Sequence, residues 1–143
     1  PILCANAAVD ALAGHYDQEA RQQGVAVEWK LELPRLVPMP EADLCTILGN
    51  LVENSLHATQ KLAPDQRQVR VMARMITPAM MGILVENRYD GVLKKQGGIL
   101  HSTKHEGRGV GLVSIETAVR KYHGNLTVEP ENNIFRVNIL LNL

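Results

Sequence analysis

Gly107-Arg108-Gly109-Val110-Gly111-Leu112 stands between a polar stretch and a segment of helical apolar periodicity. Glycines at alternate positions let backbone N–H groups converge on an anion with no Cβ in the way, and a helix opening near Val110 adds the positive end of its dipole. The run reads as a cradle for phosphate oxygens, with Lys104, His105 and Arg108 as neighbouring cations. Taken alone, a glycine-rich turn serves equally well to let a loop join a helix closely. Upstream, however, lies Asn50-Leu51-Val52-Glu53-Asn54 inside a strongly helical pattern, where two side-chain amides four residues apart project from one helix face.

From Glu41 to about Leu62, the apolar residues Leu44, Ile47, Leu48, Leu51, Val52 and Ala58, with the small Ser55 and Thr59, cover one broad helix face. At about 100° per residue, Asn50, Asn54, His57 and Lys61 line up along one edge of that face. Such an edge either borders a pocket while the helix packs on a sheet or is a solvated flank. Before it, Ile2, Ala5, Val9, Leu12, Ala13, Tyr16 and Ala20 make the stripe of a first helix, with Asn6 as its cap and Gly24 at its end. Val25 to Leu33 alternates as a half-buried strand and stops at Pro34, after which Pro38 and Pro40 mark a loop.

Beyond the second helix, Gln68 to Ile76 and Met81 to Asn87 read as a hairpin turned by Thr77-Pro78-Ala79. Arg88 to Glu106 is polar and carries Gly91, Gly97 and Gly98 with no sustained period, so it reads as a long loop. Leu112, Ile115, Val119 and Tyr122 stripe a third helix closed by Gly124. Leu126 to Glu129 and Ile134 to Leu141 finish the chain as strands around Pro130-Glu131-Asn132-Asn133. This order predicts an α/β two-layer sandwich, a mixed sheet covered by helices.

The 143 residues make one domain with one core, 1–143, and 15 basic against 15 acidic residues give no summed field for nucleic acid or an anionic membrane. One Trp, one Phe and three Tyr argue against a platform for stacking bases. Cys4 and Cys45 have no metal-ligand spacing and read as reduced, buried, small apolar residues of a cytosolic domain. The longest apolar run, Ala79 to Val85, is far below the ~20 residues that span a bilayer, and no signal peptide is visible. The chain begins at Pro1, which suggests a fragment of something longer.

Two familiar phosphate loops fit poorly. There is no Gly-x-x-x-x-Gly-Lys-Ser/Thr run, and the glycines at 107, 109 and 111 neither read Gly-x-Gly-x-x-Gly nor follow an obvious buried strand. Asn54 offers a neutral oxygen to a Mg²⁺ that keeps most of its waters and bridges to phosphates, and Asn50 suits a coordinated water or a phosphate. Asparagines in mid-helix are also often just solvent-facing.

Asn50 to Asn54 with Ala58 resembles the N box, and Gly107 to Leu112 the second glycine box, of the GHKL ATPase superfamily, which includes gyrase, heat-shock chaperone, mismatch-repair and histidine-kinase domains. Ser102-Thr103-Lys104, Ile115, Val119 and Tyr122-His123-Gly124 extend the resemblance to the catalytic, ATP-binding domain of a sensor histidine kinase. Cys4-Ala5-Asn6 to Ala20 and Val85-Glu86-Asn87 are similar to quorum-sensing peptide receptors of the accessory-gene-regulator type. The resemblance implies the Bergerat fold, with ATP between helices under a flexible lid within Arg88 to Arg108. It implies Asn54 as the Mg²⁺ ligand, Asn50 as its helical companion, and His57 and Lys61 as phosphate or ribose neighbours. Gly107, Gly109 and Gly111, with Val110 and Leu112 beside them, line the phosphates, and Lys104 and Arg108 are the lid cations.

Two departures bear on the chemistry. Most of the superfamily has an Asp-x-Gly-x-Gly box whose Asp accepts a hydrogen bond from the adenine amino group, whereas this chain reads Asn87-Arg88-Tyr89-Asp90-Gly91. Asn87 aligns with that Asp and keeps an acceptor oxygen without charge assistance, which predicts weaker adenine binding or an altered adenine pocket; Asp90 is the alternative partner. ATP-hydrolysing members carry a general-base Glu where this chain has Asn50, which accepts no proton near neutral pH. Glu53 is rotated by about 100° from Asn54 and is poorly placed to replace it.

The implied reaction is therefore γ-phosphoryl transfer from ATP to a histidine on the protein's own upstream dimerisation domain, then relay to a response regulator. His15, His57, His101, His105 and His123 are scattered, and none reads as the acceptor. The resemblance further implies a cytoplasmic domain of a membrane-anchored receptor, homodimeric only at full length. Two other readings stay open: a nucleotide-sensing or interaction module on the same fold, and an anti-sigma-type serine kinase.

Overall fold

The computed structural model describes residues 1–91, 93–96, 99–102 and 109–143, with side chains for 1–91 and 113–143. The first helix, α1, spans Ala7–Gln22, and the second, α2, Glu41–Ala58. Strand β1, Ala26–Glu32, lies between them, and β2, Gln68–Thr77, and β3, Met80–Arg88, follow as a hairpin. Two short strands come next, β4, Leu93–Gln96, and β5, Ile99–Ser102. The third helix, α3, Gly109–Lys121, leads into β6, Asn125–Glu131, and β7, Ile134–Asn142.

The five long strands form one sheet in the order β1-β2-β3-β7-β6. Only β1 and β2 pair in parallel, as their connection through α2 requires; the other ladders are antiparallel. Strict alternation puts Val69, Val71 and Ala73 of β2, Met81, Ile83 and Val85 of β3, and Val137, Ile139 and Leu141 of β7 on one buried face. Leu44, Ile47, Leu48, Leu51, Val52 and Leu56 of α2, with Ile115 and Val119 of α3, fill the core against it. The mixed sheet with helices on one side is the sandwich expected from the order of elements.

On the uncovered face, Glu86 accepts from Arg136 Nε at 2.6 Å and from Arg70 Nη1 at 3.4 Å, and Arg70 also pairs with Glu28 at 3.7 Å. Two hollows open there, of about 400 and 620 Å³. The smaller is lined in part by Glu28, Arg70, Glu86 and Arg88.

Asn6 is fully buried and caps α1 by accepting from the Val9 amide at 3.0 Å, while its own amide donates to the Arg35 carbonyl at 3.1 Å. A cap of this kind is worth about 1 kcal/mol. Gly24 takes the left-handed conformation just past the helix, φ 70°, as read from the sequence. Ile2 and Ala5, however, precede the cap and are exposed, Ile2 at 80 %, so the buried stripe begins at Val9. The second helix stops at Ala58, four residues before the expected Leu62, and a 3₁₀ turn, Pro64–Gln66, leads into β2.

Two further expectations are corrected. The stretch read as a long loop from Arg88 begins inside β3 and contains the β4–β5 pair, with Leu93 opposite Ser102 and Gln96 opposite Ile99. These strands are four residues each, too short for a period-2 signal to stand out. At the end of α3 the left-handed residue is His123, φ 49°, rather than Gly124. Gly124 meets a different need, because a Cβ there would overlap the Leu140 carbonyl oxygen of β7.

Candidate functional site

The amide strip lies where the sequence puts it. Asn50, Asn54 and His57 are half-buried along α2, and Lys61, just past the helix, is exposed. Their neighbours Leu51, Val52, Ser55 and Leu56 are buried, so the strip edges the core-facing side of the helix. No side-chain hydrogen bond ties Asn50 or Asn54 to any described residue, which leaves their amide oxygens available to a ligand.

Asn87 stands near the end of β3 on the helix-facing side, 3 % exposed, between Val69 of β2 and Phe135 of β7 in the ladder. It is a polar residue on an otherwise apolar face. Its Nδ2 donates to the Arg88 carbonyl at 2.9 Å, and no described residue donates to its Oδ1. A buried acceptor without a donor costs free energy on the order of 1–3 kcal/mol, and an exocyclic amino group of a base would satisfy it. The next residue on this face, Tyr89, is buried and packs edge-to-face on Phe135 with centroids 5.7 Å apart.

Lys61 Nζ reaches Asp90 Oδ2 at 3.3 Å. This pair joins the end of α2 to the chain just beyond β3, so Asn54, His57 and Lys61 share one end of the molecule with Asn87 and Asp90. Asp90, the alternative adenine partner, is thus engaged by Lys61. At the other end of α2, Asp43 in its first turn accepts from the Tyr122 hydroxyl and from Lys121 Nζ, the latter at 2.9 Å. The carboxyl-terminal end of α3 is therefore beside the start of α2. The first described residues of α3, Gly109, Val110, Gly111 and Leu112, lie at the end of the helix away from this contact, and the helix packs against α2 and β5.

The expected Lys104, Gly107 and Arg108, together with His105, fall outside the described residues. Gly109 to Leu112 are helical backbone, the first described residues of α3, and amides in the first turn of a helix suit an anion.

Glu53 makes a contact with α1. The Tyr16 hydroxyl of α1 donates to its Oε2 at 3.2 Å, and burial, then the Glu53 carboxylate, push the Tyr16 hydroxyl up to about 12. The 100° offset read from the sequence is realised as a contact with the neighbouring helix. Among the described residues no cluster of His, Cys, Asp and Glu is fit to hold a metal by itself. The donor set instead suits a Mg²⁺ taking one asparagine oxygen and completing its shell from water and phosphate oxygens.

The sequence did not single out Asp43, whose role depends on a residue 79 positions later. Nor did it single out Leu56, 1 % exposed in the core of α2. The apolar character of Leu56 at the i+4 position from Val52 was the available signal for the second; the first has no local signal.

A family model described as the GHKL domain matches residues 39–142. The chain belongs to the GHKL family. The GHKL match begins just before α2 and runs through β7, so it takes in the amide strip, Asn87 and all of α3. Among solved structures, this GHKL chain is similar to the catalytic domain of histidine kinase ThkA, with 15 % identity, a TM-score of 0.71, and coverage of 94 % of this chain and 90 % of that one. The mycobacterial sensor histidine kinase MprB matches at 17 % identity and a TM-score of 0.64, over 92 % of this chain and 93 % of its own. Full-length ShkA, solved in complex with AMPPNP, matches at 17 % identity and a TM-score of 0.64, over 94 % of this chain and 29 % of its own. No curated protein matches in sequence. At these identities the likeness is one of fold: this GHKL domain has the fold of histidine-kinase catalytic domains.

Proposed function

We propose that this domain binds Mg-ATP at the edge of α2 and delivers the γ-phosphoryl group to a histidine on a dimerisation domain of the same protein, in two-component signalling. The observation that carries this reading is the buried Asn87, whose Oδ1 receives no donor from any described residue, close in sequence to Asp90, which Lys61 ties to the Asn54 end of α2; in this reading the first turn of α3 completes the site. In it, Asn54 ligates Mg²⁺ and Asn50 holds a coordinated water or a phosphate oxygen. Asn87 Oδ1 accepts from the adenine amino group, and His57 and Lys61 neighbour the ribose or phosphates. Gly107, Gly109 and Gly111 with Val110 and Leu112 present backbone amides to the phosphates, and Lys104 and Arg108 add charge.

Transfer to a histidine is favoured over hydrolysis because the residue one turn before Asn54, where ATP-hydrolysing relatives by resemblance carry a general-base Glu, is Asn50. Asn50 accepts no proton, and Glu53 accepts the Tyr16 hydroxyl instead. Positioning and charge neutralisation suffice for phosphoryl transfer to an imidazole nitrogen, in which a P–N bond forms as the bond to the ADP oxygen breaks. AMPPNP bound to ShkA is consistent with an adenine nucleotide on this fold. The acceptor domain, a response regulator and a membrane-anchored receptor are the partners and setting that follow. Among the described residues no helix is long and apolar enough to cross a membrane. The neutral Asn87 also favours a second reading, a nucleotide-sensing module without kinase activity.

Calorimetric titration with a non-hydrolysable ATP analogue, with and without Mg²⁺, tests the binding. Wild type is expected to bind in a Mg²⁺-dependent way and Asn54→Ala to lose at least tenfold in affinity only when Mg²⁺ is present. Phosphorylation of the histidine-bearing domain by ATP then separates kinase from sensor. A well-folded wild type that binds no nucleotide overturns the proposal.

A further inference from the structure

Three side chains meet at the carboxyl-terminal end of α3. Asp43 Oδ2, in the first turn of α2, receives both the Tyr122 hydroxyl and Lys121 Nζ, and the Lys121 ammonium also lies over the Tyr122 ring, 5.6 Å from its centroid. From the sheet side, the Asn142 amide of β7 donates to the Tyr122 carbonyl at 3.1 Å and Asn142 Nδ2 to the His123 carbonyl at 2.6 Å. The hydrogen bond from Tyr122, then that from Lys121, hold the Asp43 carboxyl below the usual carboxylate range.

The spacing gives this contact a reach. Asn54 is eleven residues beyond Asp43, and Gly111 is eleven residues before Tyr122. At about 1.5 Å per residue each lies roughly 16 Å along its helix. The two helices are in contact, so a displacement of α3 at this joint is carried along it toward Gly111, and one of α2 toward Asn54. Sliding or tilting α3 at the joint shifts the glycine amides relative to the metal position, while the adenine acceptor Asn87 sits on β3 and stays where it is.

We infer that Asp43, Tyr122 and Lys121 are positioning residues that set the opening turn of α3 against Asn54 and thereby hold the polyphosphate of the nucleotide, an inference resting on the nucleotide-binding reading above. The joint works through the phosphates and not through the base. Asn at position 43 keeps an acceptor for the Tyr122 hydroxyl and preserves part of the function, whereas Ala removes it.

The test compares wild type, Tyr122→Phe, Asp43→Asn and Asp43→Ala by titration with the Mg²⁺ complex of a non-hydrolysable ATP analogue and, separately, with adenosine. Amide hydrogen exchange of residues 109–112 is measured on the free proteins. Tyr122→Phe and Asp43→Ala are expected to weaken the analogue about tenfold, to leave adenosine affinity unchanged, and to speed exchange at 109–112. Asp43→Asn should fall between them and wild type. Equal losses for analogue and adenosine, or unchanged binding, overturn the inference, as does exchange at 109–112 that no variant alters. If wild type binds no nucleotide, the functional reading fails by that result, and the exchange measurement still decides whether the joint governs the opening turn of α3.

Discussion

At the scale of single residues, Asn87 shows how a neutral amide sits at a buried position. Its amide group donates to the adjacent Arg88 carbonyl while its oxygen stays open to an incoming donor. An Asp there would gain charge for the incoming donor but would set a second acceptor against that carbonyl in a position only 3 % exposed. Asn87→Asp is therefore expected to lower unfolding free energy by about 1–3 kcal/mol without nucleotide, read by urea denaturation. An equal or more stable variant would show that the Arg88 contact matters little. The sequence identified this residue and its acceptor, but not its donor, because the path of the backbone after Asn87 decides whether Arg88 O is within reach.

At the scale of elements, what could be read in advance were the long amphipathic pieces. The apolar stripe of α2, the alternation of β2, β3 and β7 and the Asn6 cap were all legible because burial on one face leaves a periodic trace. Strands β4 and β5, with four residues each, left none. Ile2 and Ala5 kept the helical period but lie ahead of the cap, where periodicity no longer implies a helix. Gly124 was read as a helix stop, and its amide does bond back to the Val119 carbonyl at 3.0 Å; what the sequence did not show is that it is also a close crossing with β7. Gly124→Ala places a methyl group against the Leu140 carbonyl, so the strands must part or the turn must open. We expect a loss of more than about 2 kcal/mol in chemical denaturation, from overpacking against backbone that cannot yield. A change under 0.5 kcal/mol would mean that the crossing relaxes freely.

At the scale of the whole molecule, what the sequence withheld were the distant pairings: Lys61 with Asp90, 29 residues apart, and Asp43 with Tyr122, 79 apart. No local pattern encodes them; the sheet order does. These pairings also have a measurable signature, since each of the three tyrosines ionises with more difficulty than a free one. Burial, then the Glu53 carboxylate, raise Tyr16 to about 12; burial and Asp90 raise Tyr89; the hydrogen bond to Asp43 raises Tyr122. Raised values in the folded state mean that the associated stability is fully present below pH ~10, the unfolded value, and is lost as pH climbs through the folded values. Phenolate absorbance should therefore rise later in the folded protein than in the denaturant-unfolded chain, and the latest step should vanish in Tyr16→Phe. Coincident curves would rule out these environments.

The ladder between β3 and β7 lies in the interior of the sheet and joins residues 80–88 to residues 134–142. A chain synthesised from its amino end therefore carries β3 as a bare nine-residue edge until β7 has emerged. Asn87 waits with it, since one of its two flanking ladder partners, Phe135, belongs to that strand. Synthesis must pass residue 135 before Asn87 is flanked on both sides, so on the nucleotide-binding reading proposed above a nucleotide has no complete site to stabilise before β7 has emerged.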